Sequence, residues 1–106
     1  MGIAYTNFET YAIEYFSQDS EREAVIHCYH GTKTVARIEF VKNGVPLPHN
    51  HGEYENSYIY FRLSRFANIV AILRLEKPVM IAINTNSGVG TVSTASQEPV
   101  GEQENV

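Results

Sequence analysis

The most constraining stretch of the chain is a pair of alternating runs joined by a turn. Ala24, Ile26 and Cys28 alternate with Val25, His27 and Tyr29. Gly31-Thr32-Lys33 marks a turn, after which Ala36, Ile38 and Phe40 alternate with Val35, Arg37, Glu39 and Val41. A period of two is the pattern of a strand with one buried face, and a glycine-containing turn between two such runs reads as a hairpin. A three-residue loop pairs Cys28 with Ala36, Ile26 with Ile38 and Ala24 with Phe40. Every small or apolar partner then lies on one face. A slip of one residue would oppose Ile26 with Arg37, so the pattern itself specifies the register.

The remaining elements follow from the same periodicity. Tyr11 to Phe16 is β-rich and reads as a strand, and Gln18 to Glu23 is a polar loop. Lys42 to Glu55 holds Pro46, Pro48, Gly44 and Gly52 and reads as a loop. Its prolines would each remove a ladder donor from a central strand. Asn56 to Leu63 resumes alternation, with Ile59, Phe61 and Leu63 against Tyr58, Tyr60 and Arg62. The period then changes. Phe66, Ile69, Val70 and Leu73 form the stripe of a core-facing helix over 64–76. Ser64 is its expected N-cap, and Pro78 bars its continuation. A strand over Ile69–Leu75 is the competing reading. Val79 to Asn84 is a strand, 85–88 a turn, and Val89 to Thr94 a polar, glycine-containing last strand suited to an edge. The order ββββαββ predicts an α+β fold, an antiparallel sheet of about five or six strands with one packed helix. A small all-β barrel is the alternative.

Composition narrows the function classes. The net charge is −4, yet residues 1–96 hold nine acids and eight bases, so most of the imbalance comes from Glu98, Glu102 and Glu104. The reading is a single domain over 1–96 followed by a flexible acidic tail over 97–106. No run of Lys or Arg suggests a nucleic-acid partner. The longest apolar run, Ile69 to Leu73, is too short to span a bilayer. Met1 to Phe16 carries Glu9 and Glu14 and no basic start, so no secretory signal is expected. The lone Cys28 excludes an intramolecular disulfide and points to a reducing, cytoplasmic setting.

Four features are candidates for chemistry. Pro48-His49-Asn50-His51-Gly52-Glu53-Tyr54-Glu55 places two histidines at i, i+2 with a carboxylate four residues beyond. Residues i and i+2 of a strand share a face, so both imidazoles could reach one ion. Together with Gly44 four residues earlier, this run resembles the first motif of the cupin family: glycine, a spacer, His-x-His, a short gap, then glutamate. The resemblance covers Gly44 to Glu55. It implies a small β-barrel with a divalent metal held by His49, His51 and Glu55. An exposed polar loop is the plainer alternative. The second feature is Cys28 with His30, placed on one face by alternation. A Cys–His pair can generate a thiolate nucleophile, but Ile26, Ile38 and Phe40 share that face, and a buried packing thiol is the favoured reading.

The third feature is the opposite sheet face. If the strands pair as a meander, His27, Tyr29, Arg37, Glu39, Tyr58, Tyr60 and Arg62 line it. An Arg-aromatic face binds anions, stacked rings or a protein partner, or is simply solvated cross-strand pairing. The fourth is the far side of the helix, where Ala71, Ile72 and Leu75 point away from the Phe66–Leu73 stripe. A helix apolar nearly all round is covered on two sides, and a second subunit would supply the second cover.

The leading reading is therefore a small, soluble, non-enzymatic binding or interaction module acting as a homodimer. It has no cofactor and a protein or small molecule as its further partner. The alternatives are a cupin-like metal-binding protein or enzyme, and a small-ligand carrier with a pocket between sheet and helix lined by Tyr11, Tyr15, Tyr58 and Tyr60.

Overall fold

A computed structural model describes residues 2–94; the expected tail over 97–106 lies outside them. The fold is α+β. The strands are β1 (Ile3–Phe8), β2 (Thr10–Tyr15), β3 (Arg22–His30), β4 (Lys33–Val41), β5 (His51–Glu53) and β6 (Asn56–Arg62), followed by helix α1 (Phe66–Leu75), β7 (Val79–Asn84) and β8 (Gly90–Thr94). They form two open sheets and no closed barrel, ordered β1-β7-β8 and β2-β3-β4-β6-β5. β1 and β2 are almost one strand. A bend at Glu9 hands the chain from the smaller sheet to the larger.

The central hairpin has the register that alternation specifies. Ala24 pairs with Phe40, Ile26 with Ile38 and Cys28 with Ala36. The loop differs. The turn has two residues, Gly31 and Thr32, between the paired His30 and Lys33, and the register shifts between Cys28 and Tyr29. Val35 is the extra residue on β4. A bulge leaves two residues opposite one, so Val35 and Ala36 are both fully buried. Val35 therefore does not join the open face, where simple alternation would put it.

Four further expectations are corrected. There are two sheets, because β1 was hidden: its inward residues are Ala4, Thr6 and Phe8, and a buried threonine breaks the apolar alternation. The short β5 lies inside the proline-rich segment, below the length at which periodicity is readable. The larger sheet is also not a meander. β5 and β6 form a hairpin, and β6 inserts between β5 and β4, pairing with β4 in parallel as Arg37↔Tyr58, Ile38↔Ile59 and Glu39↔Tyr60. Finally, Ser64 does not cap the helix. The chain enters α1 through a 3-10 turn, Leu63–Arg65, with Arg65 at the N-cap and no side-chain cap.

One core joins the layers. Ala24, Ile26, Cys28, Ala36, Ile38, Phe40 and Ile59 come from the larger sheet, Phe8, Val79, Ile81 and Ile83 from the smaller, and Ile69 and Leu73 from the helix. Phe66 meets Phe40 edge-on, with ring centroids 5.0 Å apart. Full burial of a Leu, Ile or Phe side chain is worth about 1.5–3 kcal/mol, which makes this cluster the main source of stability. A buried polar pair also links the sheets: the Thr6 and Ser57 hydroxyls share a 2.8 Å hydrogen bond. No helix among the described residues is long and apolar enough to cross a membrane.

Candidate functional site

The larger sheet turns one face to the core and leaves the other open. Cross-strand register arranges that open face into rows. One row runs Ala12, His27, Arg37, Tyr58, His51 across all five strands. The next runs Glu14, Val25, Glu39, Tyr60. Adjacent strands are about 4.8 Å apart, so long side chains that neighbour one another in a row can touch.

They do so in a specific way. The Arg37 Nη1 donates to the Tyr58 hydroxyl at 2.9 Å, and its guanidinium carbon lies 5.0 Å from the Tyr58 ring centroid. On the other side of Tyr58, the His51 ring stacks with centroids 4.9 Å apart and 21° between planes. The His51 Nε2 also comes within 3.3 Å of the Tyr60 hydroxyl. Arg37, Tyr58, His51 and Tyr60 are thus one continuous stack. Burial, with smaller contributions from Glu39 and Tyr58, raises the Tyr60 pKa, so this hydroxyl stays protonated and able to donate. At the far end, the His27 Nε2 meets the Glu14 Oε1 at 3.0 Å. Val25, between Glu14 and Glu39 in the second row, is 1% exposed.

The residues picked out in the sequence fare differently. His27, Arg37, Tyr58 and Tyr60 share the face as expected, and Tyr29 lies on it half-buried. Arg62 is engaged elsewhere: its Nη1 donates to the carbonyls of Lys42 at 2.8 Å and Val45 at 2.6 Å, holding the loop that carries the chain from β4 towards β5.

The proposed metal ligands are dispersed. His51 belongs to the aromatic stack, and His49 is exposed in the preceding loop. Glu55, at φ 61° in the β5–β6 turn, has its carboxylate 3.7 Å from Lys33 Nζ. No group of three His, Cys, Asp or Glu among the described residues could hold a metal ion. The structural centre of the motif is instead the residue between the histidines. Asn50 accepts from the Tyr60 amide at 2.8 Å and donates to the Gly88 carbonyl at 2.9 Å, tying the loop to both sheets.

Cys28 is fully buried, and burial pushes its thiol up to about 12, the reverse of an activated nucleophile. His30 points to Glu9, 3.9 Å away. On the helix, Ala71 and Leu75 are exposed, but Ile72 packs against the core and does not share their face. The four tyrosines of the carrier reading are split. Tyr11 and Tyr15 pair with Cys28 and Ala24 on the core side, while Tyr58 and Tyr60 are on the open side. A cleft of about 430 Å³ does lie beside the end of α1, between Phe8, Tyr11, Leu73 and Lys77. It contains neither Tyr58 nor Tyr60.

Sequence reading missed His51 and Glu14 as members of the open face. The His51 position depends on β5, whose pairing the sequence does not reveal. Glu14 was visible in the alternation of Tyr11–Phe16, which places it opposite the core-facing Ile13. Comparison with protein-family models, with curated proteins and with solved structures finds no match.

Proposed function

We propose that the chain is a small non-enzymatic binding module, homodimeric and cytoplasmic, whose working surface is the open face of the five-stranded sheet. The observation that carries this reading is the in-register row His27–Arg37–Tyr58–His51. Tyr and Arg are the residue types that most often dominate binding energy at protein interfaces. Here they hold one another in place before a partner arrives, which lowers the ordering cost of association. Strands are also a stiffer support for such groups than loops. The partner that fits is a protein segment offering a carboxylate to Arg37 beside a ring or apolar side chain for Tyr58 and Tyr60. The cytoplasmic setting rests on the lone thiol of Cys28, which has no disulfide partner in the chain.

The test is a ¹⁵N NMR titration with an N-acetylated Glu-Tyr dipeptide amide as probe. Fragment-sized ligands bind weakly, so the titration should run to about 10 mM. Amide shifts should cluster on β3, β4 and β6 and vanish in Arg37→Ala. No shifts at that concentration, or shifts confined to the helix and the smaller sheet, would reject this face as the working surface.

A further inference from the structure

We infer that two copies of the chain pair edge to edge along β2, making one continuous sheet across a two-fold axis. The inference rests on the homodimer reading above and identifies the contact that would form it.

The four sheet edges differ in how they are protected. β5 is three residues long and contains Gly52 at φ 155°. β1 lies against β5, and β8 against α1. Among the described residues β2 is the exception. It is six residues long, pairs with β3 without a register shift, and its sequence Thr-Tyr-Ala-Ile-Glu-Tyr has no Lys, Pro or Gly. Natural edges are usually blunted by such residues or by bulges. The one charge on β2, Glu14, faces the open side and is held by His27.

The free edge is also chemically matched to itself. The Phe16 amide donates to the Glu23 carbonyl at 3.0 Å. Antiparallel alternation then turns the backbone groups of Tyr11, Ile13 and Tyr15 outward, away from β3. The side chains of these same residues lie on the core side at its rim, where Ile13 is 43% and Tyr15 58% exposed. An antiparallel pairing centred on Ile13 sets Ile13 against its symmetry mate and Tyr11 against Tyr15. It closes about six hydrogen bonds from the outward backbone groups. On the open face it sets Ala12 against Glu14, so no like charges oppose one another. A pairing shifted by one residue would put Ala12 against Ile13 and leave the outward groups mismatched.

Area gives the pairing a purpose. Five strands at about 4.8 Å and roughly six residues at about 3.3 Å give an open face near 480 Å². A standard protein interface buries about 800 Å² per partner. One copy alone falls short, whereas two copies joined at β2 present a face of sufficient size, with the Arg37 stack repeated on either side of the axis.

Sedimentation equilibrium of the full chain across the micromolar range, beside Ile13→Lys and Leu75→Lys, tests this. The wild type should dimerise. Ile13→Lys places two ammonium groups opposite one another and should weaken the dimer by at least about tenfold, with an unchanged circular dichroism spectrum. Leu75→Lys should leave it intact. A wild type that stays monomeric rejects both the homodimer and the β2 contact. A dimer broken by Leu75→Lys and indifferent to Ile13→Lys rejects only the β2 contact. Should Ile13→Lys not fold, hydrogen exchange of the wild type decides. Protection of the Tyr11, Ile13 and Tyr15 amides should rise with protein concentration. Protection independent of concentration would mean the edge is covered from within the chain, and absence of protection in a dimer would place the contact elsewhere.

Discussion

Removing both partners of the Thr6–Ser57 hydrogen bond should cost less than the two single removals added together. Thr6 and Ser57 are fully exposed to the core and not to water, at 0% solvent exposure each, and their hydroxyls meet at 2.8 Å between the two sheets. Thr6→Val preserves the branched shape, so no cavity opens. The penalty is the orphaned Ser57 hydroxyl, which retains only a long 3.5 Å contact to the Glu53 carbonyl. A buried unsatisfied hydroxyl costs about 1–3 kcal/mol, and this fallback contact places Thr6→Val near the lower end. Ser57→Ala leaves the Thr6 hydroxyl behind and should cost nearer 2 kcal/mol. The double variant has no orphan and should lose only about 1 kcal/mol, a coupling of about 2 kcal/mol between the sites. Guanidinium unfolding of the four proteins measures the cycle. In a domain of this size each kcal/mol should also move the melting temperature by about 4–8 °C. Additive single effects, or a Thr6→Val variant as stable as the wild type, would refute the claim that this bond fastens one sheet to the other.

Three further outcomes are expected. Gly52→Ala should destabilise by at least about 2 kcal/mol, because φ is +155° and a Cβ would sit 2.6 Å from the Asn56 carbonyl oxygen and the Ser57 Cα; chemical denaturation measures it, and a near-neutral result would mean that the β5–β6 hairpin yields easily. Burial raises the Cys28 thiol from an ordinary 9.0 to about 12, so in this range the native state keeps a proton that the unfolded chain loses. Its contribution is therefore present below pH 9 and falls by about 1.4 kcal/mol per unit above it; the wild type should lose stability relative to Cys28→Ala between pH 9 and 12, and parallel curves for the two proteins would contradict this. At the other extreme, the Asp19 carboxyl is held at about 2 by the Arg22 amide, the Arg22 side chain and the Glu21 amide. This lowered value favours the folded state above pH 3.8, and the advantage fades as pH falls through 2. The gap in melting temperature between wild type and Asp19→Asn should narrow over that interval, and a constant gap would argue against the turn.

Some of this structure was legible in the sequence and some was not, for identifiable reasons. The β3–β4 register was legible because Ile26 and Ile38 tolerate no slip. A three-residue loop gave the correct pairs although the turn has two residues, because the bulge at Val35 supplies the missing one. The β7–β8 hairpin was legible from its turn residues. Asn84 accepts from the amides of Asn86 and Ser87 and so folds the turn through its own side chain. β1 was not legible, since Ala4 and Thr6 are inward-facing but carry little apolar signal. The helix entry was misread because Ser64 has the right identity for a cap but sits within a 3-10 turn. On the open face, alternation alone places His27, Arg37, Tyr58 and Tyr60 correctly. Alternation assigns a residue to a face, whichever direction its strand runs.

What alternation cannot assign is which strand lies beside which, and here that decides the chemistry. In a meander, β4 would be followed in space by the next strand in sequence. Instead β5 occupies the edge and β6 returns beside β4, with Arg62 and Asn50 fastening the connecting loop. That insertion brings Tyr58 between Arg37 and His51 rather than leaving the histidine in a separate loop. It explains why the His-x-His run looks like a metal motif in one dimension and works as the end of an aromatic stack in three. The same reasoning makes Asn50 more consequential than either histidine. Replacing His51 removes one ring from the face. Replacing Asn50 unfastens both its bond to the Tyr60 amide and its bond to the β7–β8 turn, and with them the register that builds the row.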